Sequence, residues 1–346
     1  MDLAAAVLQG DRLALARLLT AIEDEDPAGL AVLSDLYPHG GKADRIGITG
    51  PPGSGKSSLV ARLAAHIRRC GLRSGAGSGP AKLAVVAIDP SSPFTGGAIL
   101  GDRIRMRDLA GDPGVFIRSM ASRGALGGLA QATFGTVQAL DAAGYQVILI
   151  ETVGAGQAEV EIASTAHTTV VVEAPGMGDD VQAIKAGILE IADILVVNKA
   201  DLPGADNAMR QLQAALALGY PEHPAEGHAH HAPLSERESQ GRPQPAPPAG
   251  WVPEVLATSA LKDTGIPNVV EAIDRHLSYL DATGGRQALE ARRAEREVEH
   301  LLQQRLAEWF HGRLAADRLD EALRRVVERQ ISPRQAVELL TRELAG

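Results

Sequence analysis

The feature that most constrains the fold is a glycine-rich stretch within residues 46–58, which separates an apolar run from an apolar-periodic segment. Its spacing, Gly50-x-x-x-x-Gly55-Lys56-Ser57, is the Walker A pattern, in which backbone N–H groups surround phosphate oxygens. The pattern predicts a strand, a phosphate-binding loop and a helix whose N-terminus faces the pyrophosphate. We predict that Lys56 reaches the β- and γ-phosphates and that the Ser57 hydroxyl binds Mg²⁺. The predicted nucleotide-binding residues of this loop are Gly53, Ser54, Gly55, Lys56, Ser57 and Ser58.

Short runs rich in Val and Ile alternate with helix-length segments downstream of this loop. The alternation predicts an α/β fold, a P-loop NTPase with a doubly wound, mostly parallel sheet flanked by helices. The seven predicted strands are 46–49, 83–88, 115–118, 147–150, 170–173, 194–197 and 255–258. Ligands of such sheets bind beyond the carboxyl ends of the strands, so we expect the functional residues there.

Three divisions of the chain are expected from its composition. Residues 1–42 form an N-terminal helical segment, residues 43–284 the P-loop domain, and residues 285–346 a C-terminal arm of three helices. Within the P-loop domain, residues 221–250 are crowded with Pro, Gly, Ser and His, which predicts a mobile surface loop.

The bulk composition excludes several classes of protein. The chain has 346 residues, of which 45% are hydrophobic, so it can bury a substantial core. Its 34 Lys and Arg residues and 43 Asp and Glu residues give a net charge of −9, which argues against nucleic-acid and membrane partners. No apolar run is long enough for a membrane-spanning helix. The single cysteine, Cys70, excludes an intrachain disulfide, and we expect a cytoplasmic protein.

A second motif, Asn198-Lys199-x-Asp201, follows the sixth predicted strand and indicates guanine recognition. The Asp201 carboxylate can accept hydrogen bonds from N1–H and N2–H of guanine, which adenine does not offer. We predict that Asn198 braces the phosphate-binding loop and that Lys199 lies along the base. A weaker third element follows the seventh strand, with backbone groups that can contact the guanine oxygen: Ser259, Ala260 and Leu261. Together with the Walker A pattern, these residues predict GTP as the ligand.

Acidic residues at three further places are candidate magnesium ligands. Glu151 ends the fourth predicted strand and Gly154 follows it, where GTPases place a magnesium-linked acid and a glycine that senses the γ-phosphate. Asp89 and Asp102 can each bind Mg²⁺ directly or through water, or act as helix caps or turn formers instead. The predicted catalytic residues are Lys56, Asp102 and Gln157, the last as a candidate for positioning water.

Four longer stretches resemble one family, the MeaB/ArgK group of GTPases, which includes the methylmalonic aciduria type A protein. They are residues 89–106 (DPSSPFTGGAILGDRIRM), 116–121 (FIRSMA), 151–154 (ETVG) and 175–180 (PGMGDD). The resemblance implies a GTP-hydrolysing chaperone that gates adenosylcobalamin loading and protects an adenosylcobalamin-dependent acyl-CoA mutase. It also implies a switch that contacts the mutase, here Asp179, Asp180, Gln182 and Lys185, although Ala186 replaces a lysine that many relatives carry.

Further expectations follow from the same resemblance. Adenosylcobalamin should belong to the partner, and the partner is a methylmalonyl-, isobutyryl- or hydroxyisobutyryl-type mutase. Members dimerise through the C-terminal arm, where Trp309 and Phe310 suit a homodimer interface or, equally, packing within the chain. Slow intrinsic GTP hydrolysis is expected, since no arginine finger can be assigned.

Two other functions stay open at the level of sequence. The loop at residues 221–250 carries His223, His228, His230 and His231, which suits a nickel-delivery GTPase of the hydrogenase or urease maturation type. A low-complexity surface loop is favoured over a metal site, because no cysteine accompanies these histidines. The other possibility is phosphotransfer to a small molecule.

Overall fold

The computed structural model describes residues 2–72, 80–90, 106, 109, 111–122, 128–152, 158–176, 188–219, 250–313 and 316–345. The chain divides into two compact units, Met1–Gln287 and Ala288–Gly346. The strands, all in the first unit, are β1 (Asp44–Thr49), β2 (Leu83–Pro90), β3 (Val115–Ser122), β4 (Val147–Thr152), β5 (Thr168–Glu173), β6 (Ile194–Val197) and β7 (Glu254–Ala257).

The helices of the first unit are α1 (Leu3–Leu8), α2 (Arg12–Glu23), α3 (Pro27–Leu36), α4 (Lys56–Cys70), α5 (Gly128–Ala142), α6 (Ala158–Thr165), α7 (Ile188–Ile191), α8 (Ala205–Gly219) and α9 (Ile266–Thr283). A 3₁₀ turn, Tyr37–His39, follows α3. Helix α10 (Gly285–Arg313) begins at the end of the first unit, and α11 (Ala316–Val327) and α12 (Pro333–Ala345) complete the second. Among the described residues, no helix combines the length and the apolar character that crossing a lipid bilayer requires.

The described strands form one parallel sheet in the order β3-β2-β4-β1-β5-β6-β7. Every residue of β1, β4 and β5 is buried, as expected for parallel strands that are covered on both faces. The predicted doubly wound α/β fold is confirmed. Since β1 lies between β4 and β5, the loop that follows it emerges at the middle of the carboxyl edge of the sheet.

Two hydrophobic layers cover the sheet. On one face, α4 and α9 pack on the strands through Leu59, Leu63, Val269 and Ile273, all fully buried. On the other face, the N-terminal helices and α5 bury a second cluster that includes Leu15, Leu18, Leu19, Val137 and Leu140. Helices α1 to α3 therefore belong to the same compact unit as the sheet.

The connection from the N-terminal helices to β1 is held by one buried carboxylate. Asp141, near the end of α5, accepts hydrogen bonds from the backbone N–H groups of Gly41 (2.8 Å), Lys42 (3.1 Å) and Ala43 (3.1 Å). The Arg45 guanidinium lies 3.7 Å from the same carboxylate, and both side chains are nearly inaccessible to solvent. This carboxylate therefore compensates one buried and two partly buried N–H donors that have no place in the sheet or in a helix.

Replacing Asp141 with Ala is expected to destabilise the protein by about 3–5 kcal/mol, because it leaves the buried Arg45 cation, the buried Ala43 N–H and two partly buried N–H groups without this acceptor. Urea unfolding followed by circular dichroism measures the free energy of unfolding. Asp35→Ala, which removes an exposed acid from α3, is the matched control and should change that free energy by less than about 0.5 kcal/mol. Equal free energies for the two variants would contradict the role assigned to Asp141.

The second unit packs around a small apolar core of its own. Ala322 of α11 and Ala336 and Leu340 of α12 are buried, and Phe310 at the end of α10 packs against them. Ser332 caps α12 through its hydroxyl, which accepts the Gln335 N–H at 3.2 Å, while the Gln335 side chain accepts the Ser332 N–H at 2.9 Å. This reciprocal capping box fixes the start of α12. Phe310 is thus part of the core of this unit, whereas Trp309 is 47% exposed.

Candidate nucleotide-binding site

The glycine-rich loop has the backbone conformation that its sequence predicts. Gly50, Gly53 and Gly55 have φ angles of 137°, 83° and 90°, in the region that favours glycine. A Cβ atom on Gly50 would collide with the Val172 carbonyl oxygen, and one on Gly55 would lie 2.5 Å from Asn198 Nδ2. The loop is therefore packed against the ends of β5 and β6, and glycine is required at both contacts.

Two lysine ammonium groups donate hydrogen bonds to carbonyl oxygens of this loop. Lys56 Nζ donates to the carbonyls of Gly50 (2.7 Å) and Pro51 (3.0 Å), and the residue is only 6% exposed. Lys199 Nζ donates to the Gly53 carbonyl at 2.7 Å. Helix α4 also begins at Lys56, with its first N–H groups at the loop. Two cations and a helix N-terminus at one loop form an environment suited to a polyphosphate.

A serine and a glutamate at the strand ends provide oxygen ligands for a metal ion. The Ser57 hydroxyl donates to Glu151 Oε1 at 2.6 Å, and both residues are buried. The pair forms because β4 runs beside β1, with Glu151 in register with Ile48, two residues before the loop begins. Hydroxyl and carboxylate oxygens beside a phosphate-binding loop are ligands that Mg²⁺ accepts, so these two residues fit the ion. When bound, Mg²⁺ would neutralise charge that develops on the transferring phosphoryl group.

Replacing Glu151 with Gln is expected to weaken the apparent affinity for Mg²⁺ in the presence of nucleotide by about 10- to 100-fold. The amide keeps the shape but removes the negative charge that attracts the ion and orients the Ser57 hydroxyl. Titrating Mg²⁺ against GTP hydrolysis measures the effect. Ser278→Ala, at an exposed position of α9, is the control and should leave the titration unchanged. An unchanged titration for Glu151→Gln would remove Glu151 from the metal site.

Asn198 connects the phosphate-binding loop with the segment after β7. Its Nδ2 donates to the Ser54 carbonyl at 2.9 Å. Its Oδ1 accepts the Thr258 hydroxyl at 3.2 Å and the Ala260 N–H at 3.1 Å. The side chain is 2% exposed, so these hydrogen bonds are shielded from water. One residue thus fixes the distance between the two ends of the candidate site.

Asp201 has the geometry and charge expected of a group that recognises guanine. The Ser259 hydroxyl donates to Asp201 Oδ1 at 2.6 Å, and Lys262 Nζ lies 3.7 Å from Oδ2. The Ser259 hydrogen bond, with the nearby Lys262 ammonium, holds the pKa of Asp201 below its usual range. The carboxylate is therefore ionised at neutral pH and able to accept hydrogen bonds from the two donors on the guanine edge.

Several predicted site residues lie outside the described part of the chain. They are Asp102, Gly154, Gln157, Asp179, Asp180, Gln182 and Lys185. Residues 221–249 of the histidine-containing loop lie outside it as well. The backbone of Asp89 is described at the end of β2, one position beyond Ile88, which is in register with Thr152 of β4. The other predicted residues lie together in the described structure: those of the phosphate-binding loop, Glu151, Asn198, Lys199, Asp201, Ser259, Ala260 and Leu261. Their roles in binding a ligand stay predictions.

Sequence reasoning missed Arg62 of α4. Its Nε donates to the carbonyl of Ala260 at 3.1 Å and lies 4.0 Å from Asp263 Oδ1. No motif includes this residue, and 198 positions separate it from its acceptor in the chain. An arginine on the exposed side of a helix carries no sequence signal for such a contact.

Comparison with known proteins identifies the family. The sequence model of a family described as "Methylmalonyl Co-A mutase-associated GTPase MeaB" matches residues 15–314. The chain belongs to the MeaB family of GTPases. The resemblance found in the sequence is confirmed.

Individual members and neighbours agree with this assignment. A protein named as a putative GTPase from Pyrococcus abyssi is 42% identical over 338 residues, which cover 98% of this chain and 94% of the relative. The GTPase ArgK of Escherichia coli is 35% identical over 344 residues, 96% of this chain and 93% of the relative. A crystal structure of a LAO/AO transport system kinase superposes with a TM-score of 0.67 at 26% identity, covering 99% of this chain and 97% of that one. The MeaB-family chain therefore has the P-loop GTPase fold and a site for a guanine nucleotide, typically bound with Mg²⁺.

Proposed function

We propose that this MeaB-family protein is a GTP-hydrolysing chaperone of an adenosylcobalamin-dependent acyl-CoA mutase such as methylmalonyl-CoA mutase. In this role it gates the loading of adenosylcobalamin and protects the mutase from inactivation, while the cofactor itself belongs to the partner. Support for the partner class comes from the description of the family, which names association with methylmalonyl-CoA mutase.

The observation that carries the proposal is the connection made by Asn198. The same side chain contacts the Ser54 carbonyl in the phosphate-binding loop and the Ala260 N–H beside the guanine-recognising carboxylate. A guanine nucleotide would contact both the phosphate-binding loop and the segment after β7. Because Asn198 joins these two parts, binding at one would affect the other. This arrangement suits a G protein whose nucleotide state is read by a partner.

Intrinsic hydrolysis is slow in this proposal. Lys56 would stabilise charge on the transferring phosphoryl group, and Asp102 and Gln157 would bind the metal and position water. Lys56 lies on the loop carbonyls of Gly50 and Pro51, so it must exchange these acceptors for phosphate oxygens when GTP binds. The mutase, or a rearranged switch, completes the site.

The test compares GTP hydrolysis by the full chain with and without purified methylmalonyl-CoA mutase. The expected result is slow turnover alone and acceleration of at least about tenfold by the mutase. Transfer of adenosylcobalamin to the apo-mutase, followed by its absorbance spectrum, should depend on the nucleotide present. Rapid hydrolysis by the isolated protein that the mutase leaves unchanged would refute the proposal, as would transfer that is indifferent to nucleotide.

The switch assigned by the family resemblance can be tested separately. We expect the double replacement of Asp179 and Asp180 by Ala to abolish stimulation by the mutase while intrinsic hydrolysis is retained. Gln182→Ala and Lys185→Ala should weaken stimulation to a smaller extent. Stimulation equal to that of the wild type in the double variant would show that the mutase binds elsewhere.

We also propose that the C-terminal arm, residues 285–346, forms a homodimer. Five apolar side chains of α10, separated by one to four residues, are exposed along the helix: Val298 (64%), Leu301 (45%), Leu302 (56%), Leu306 (55%) and Trp309 (47%). A second copy would cover them. Light scattering should give a dimer mass for the wild type and for Gln303→Glu, the matched control, and a monomer mass for Leu302→Glu. A monomeric wild type would overturn this assignment.

A further inference from the structure

Arg62 makes a contact to which the proposed function gives no role. It lies on α4, the helix that begins in the phosphate-binding loop, and its Nε donates to the Ala260 carbonyl at 3.1 Å. The Arg62 side chain is 46% exposed and that of Asp263, its other neighbour, is 61% exposed, so their ion pair at 4.0 Å contributes little stability. The hydrogen bond to the backbone of Ala260 is the more specific interaction.

Both the N–H and the carbonyl group of Ala260 are hydrogen-bonded to side chains of the protein. The Ala260 N–H donates to Asn198 Oδ1, so it is already used within the protein. The Ala260 carbonyl and the Leu261 N–H belong to one planar trans peptide and point in opposite directions. Because Arg62 fixes the direction of that carbonyl, it also fixes the direction of the Leu261 N–H.

The Leu261 N–H is a donor of this turn that is left for a ligand. It donates to no group in the described part of the chain. The Leu261 side chain is 83% exposed, so this residue contributes through its backbone. The next residue, Lys262, places its Nζ 3.7 Å from Asp201 Oδ2, so the turn runs beside the carboxylate that would pair with N1–H and N2–H of guanine. The O6 acceptor of guanine neighbours N1 on the same edge of the base.

We propose that Arg62 is a positioning residue for base selection, which holds the Ala260 carbonyl so that the Leu261 N–H is aimed at guanine O6. The inference rests on the guanine-nucleotide binding in the proposed function and adds a residue on the phosphate-binding helix to the recognition of the base. The contact also links α4 with the base-recognising turn directly, apart from the link through Asn198.

The test compares GTP with a nucleotide that has no O6. In 2-aminopurine riboside triphosphate a hydrogen replaces O6 and N1 carries no hydrogen, while the N2 amino group is retained, so each variant is compared with the wild type on the same nucleotide. Arg62→Ala is expected to weaken GTP binding by about threefold to tenfold, measured by calorimetry. Its affinity for the 2-aminopurine nucleotide should remain within about twofold of the wild type, because no O6 contact exists to be lost.

Two further variants make the result decisive. Arg62→Lys, which retains a cationic donor, should recover part of the lost GTP affinity. Arg69→Ala removes an exposed arginine near the end of the same helix and should leave both affinities unchanged. Equal losses for both nucleotides in Arg62→Ala, or no loss for either, would overturn the inference. Failure of the wild type to bind GTP would instead count against the proposed function, so the two failures can be told apart.

Discussion

Replacing Asp201 with Asn is expected to move the base preference of this protein from guanine to xanthine. The Asp201 carboxylate accepts from both N1–H and N2–H of guanine, whereas an asparagine amide presents one acceptor and one donor. Xanthine carries an oxygen in place of the 2-amino group and therefore pairs with that amide. We expect GTP affinity to fall by about 10²- to 10⁴-fold and XTP to bind more tightly than GTP.

Competition binding with GTP and XTP measures both affinities. Asp206→Asn, an exposed acid in the first turn of α8, is the matched control and should retain the preference for GTP. An Asp201→Asn variant that still prefers GTP would mean that another group recognises the base. If Asp201→Asn prefers XTP, the variant also tests the proposed function. Transfer of adenosylcobalamin to the mutase should then depend on XTP and no longer on GTP.

Replacing Asn198 with Ala is expected to damage both stability and nucleotide binding. The replacement removes the hydrogen-bond partners of the Ser54 carbonyl, the Thr258 hydroxyl and the Ala260 N–H at a site that is nearly inaccessible to solvent. We expect a loss of about 2–4 kcal/mol in the free energy of unfolding, measured without nucleotide. GTP affinity should fall by about 10- to 100-fold in addition, because the two ends of the site lose their fixed separation.

Two comparisons separate these effects. Asn207→Ala, at an exposed position of α8, should change neither stability nor affinity. Asn198→Asp retains the acceptor for Ala260 and Thr258 but places a negative oxygen against the Ser54 carbonyl. It should therefore lose affinity for GTP through the phosphate-binding end. A stable Asn198→Ala protein with normal affinity would show that the connection has no energetic role.

Local patterns were sufficient to predict the fold and to name several residues that the described structure brings together at the candidate site. The Walker A spacing includes Gly50 and Gly55, and the motif after the sixth strand contains Asn198 and Asp201. Both motifs can therefore be identified without knowledge of the fold. The Val- and Ile-rich runs predicted the parallel sheet because buried parallel strands are apolar throughout. Motifs and hydrophobic periodicity involve residues that are close together in the chain, so both can be identified from the sequence alone.

Apart from the contact of Asn198 with the phosphate-binding loop, which its motif predicted, the contacts between distant residues could not be predicted in the same way. The Ser57 hydroxyl reaches Glu151 across 94 positions, and Asp141 reaches the Gly41 N–H across 100. Arg62 and Ala260 are farther apart still. Each of these contacts depends on which strands are neighbours and on their register, which follow from the assembled sheet.

The hydrogen bonds of Asp141 have a consequence for the order in which the chain acquires its structure. Their donors, from Gly41 to Ala43, leave the ribosome about 100 residues before their acceptor, a delay of roughly 5–20 s at ordinary rates of synthesis. The contacts among helices α1 to α3 are local and available during that time, but α5, against which they pack, has not yet been made. We therefore expect the N-terminal helices to remain undocked until α5 has been synthesised. Their docking on the sheet would be a late, non-local step of folding.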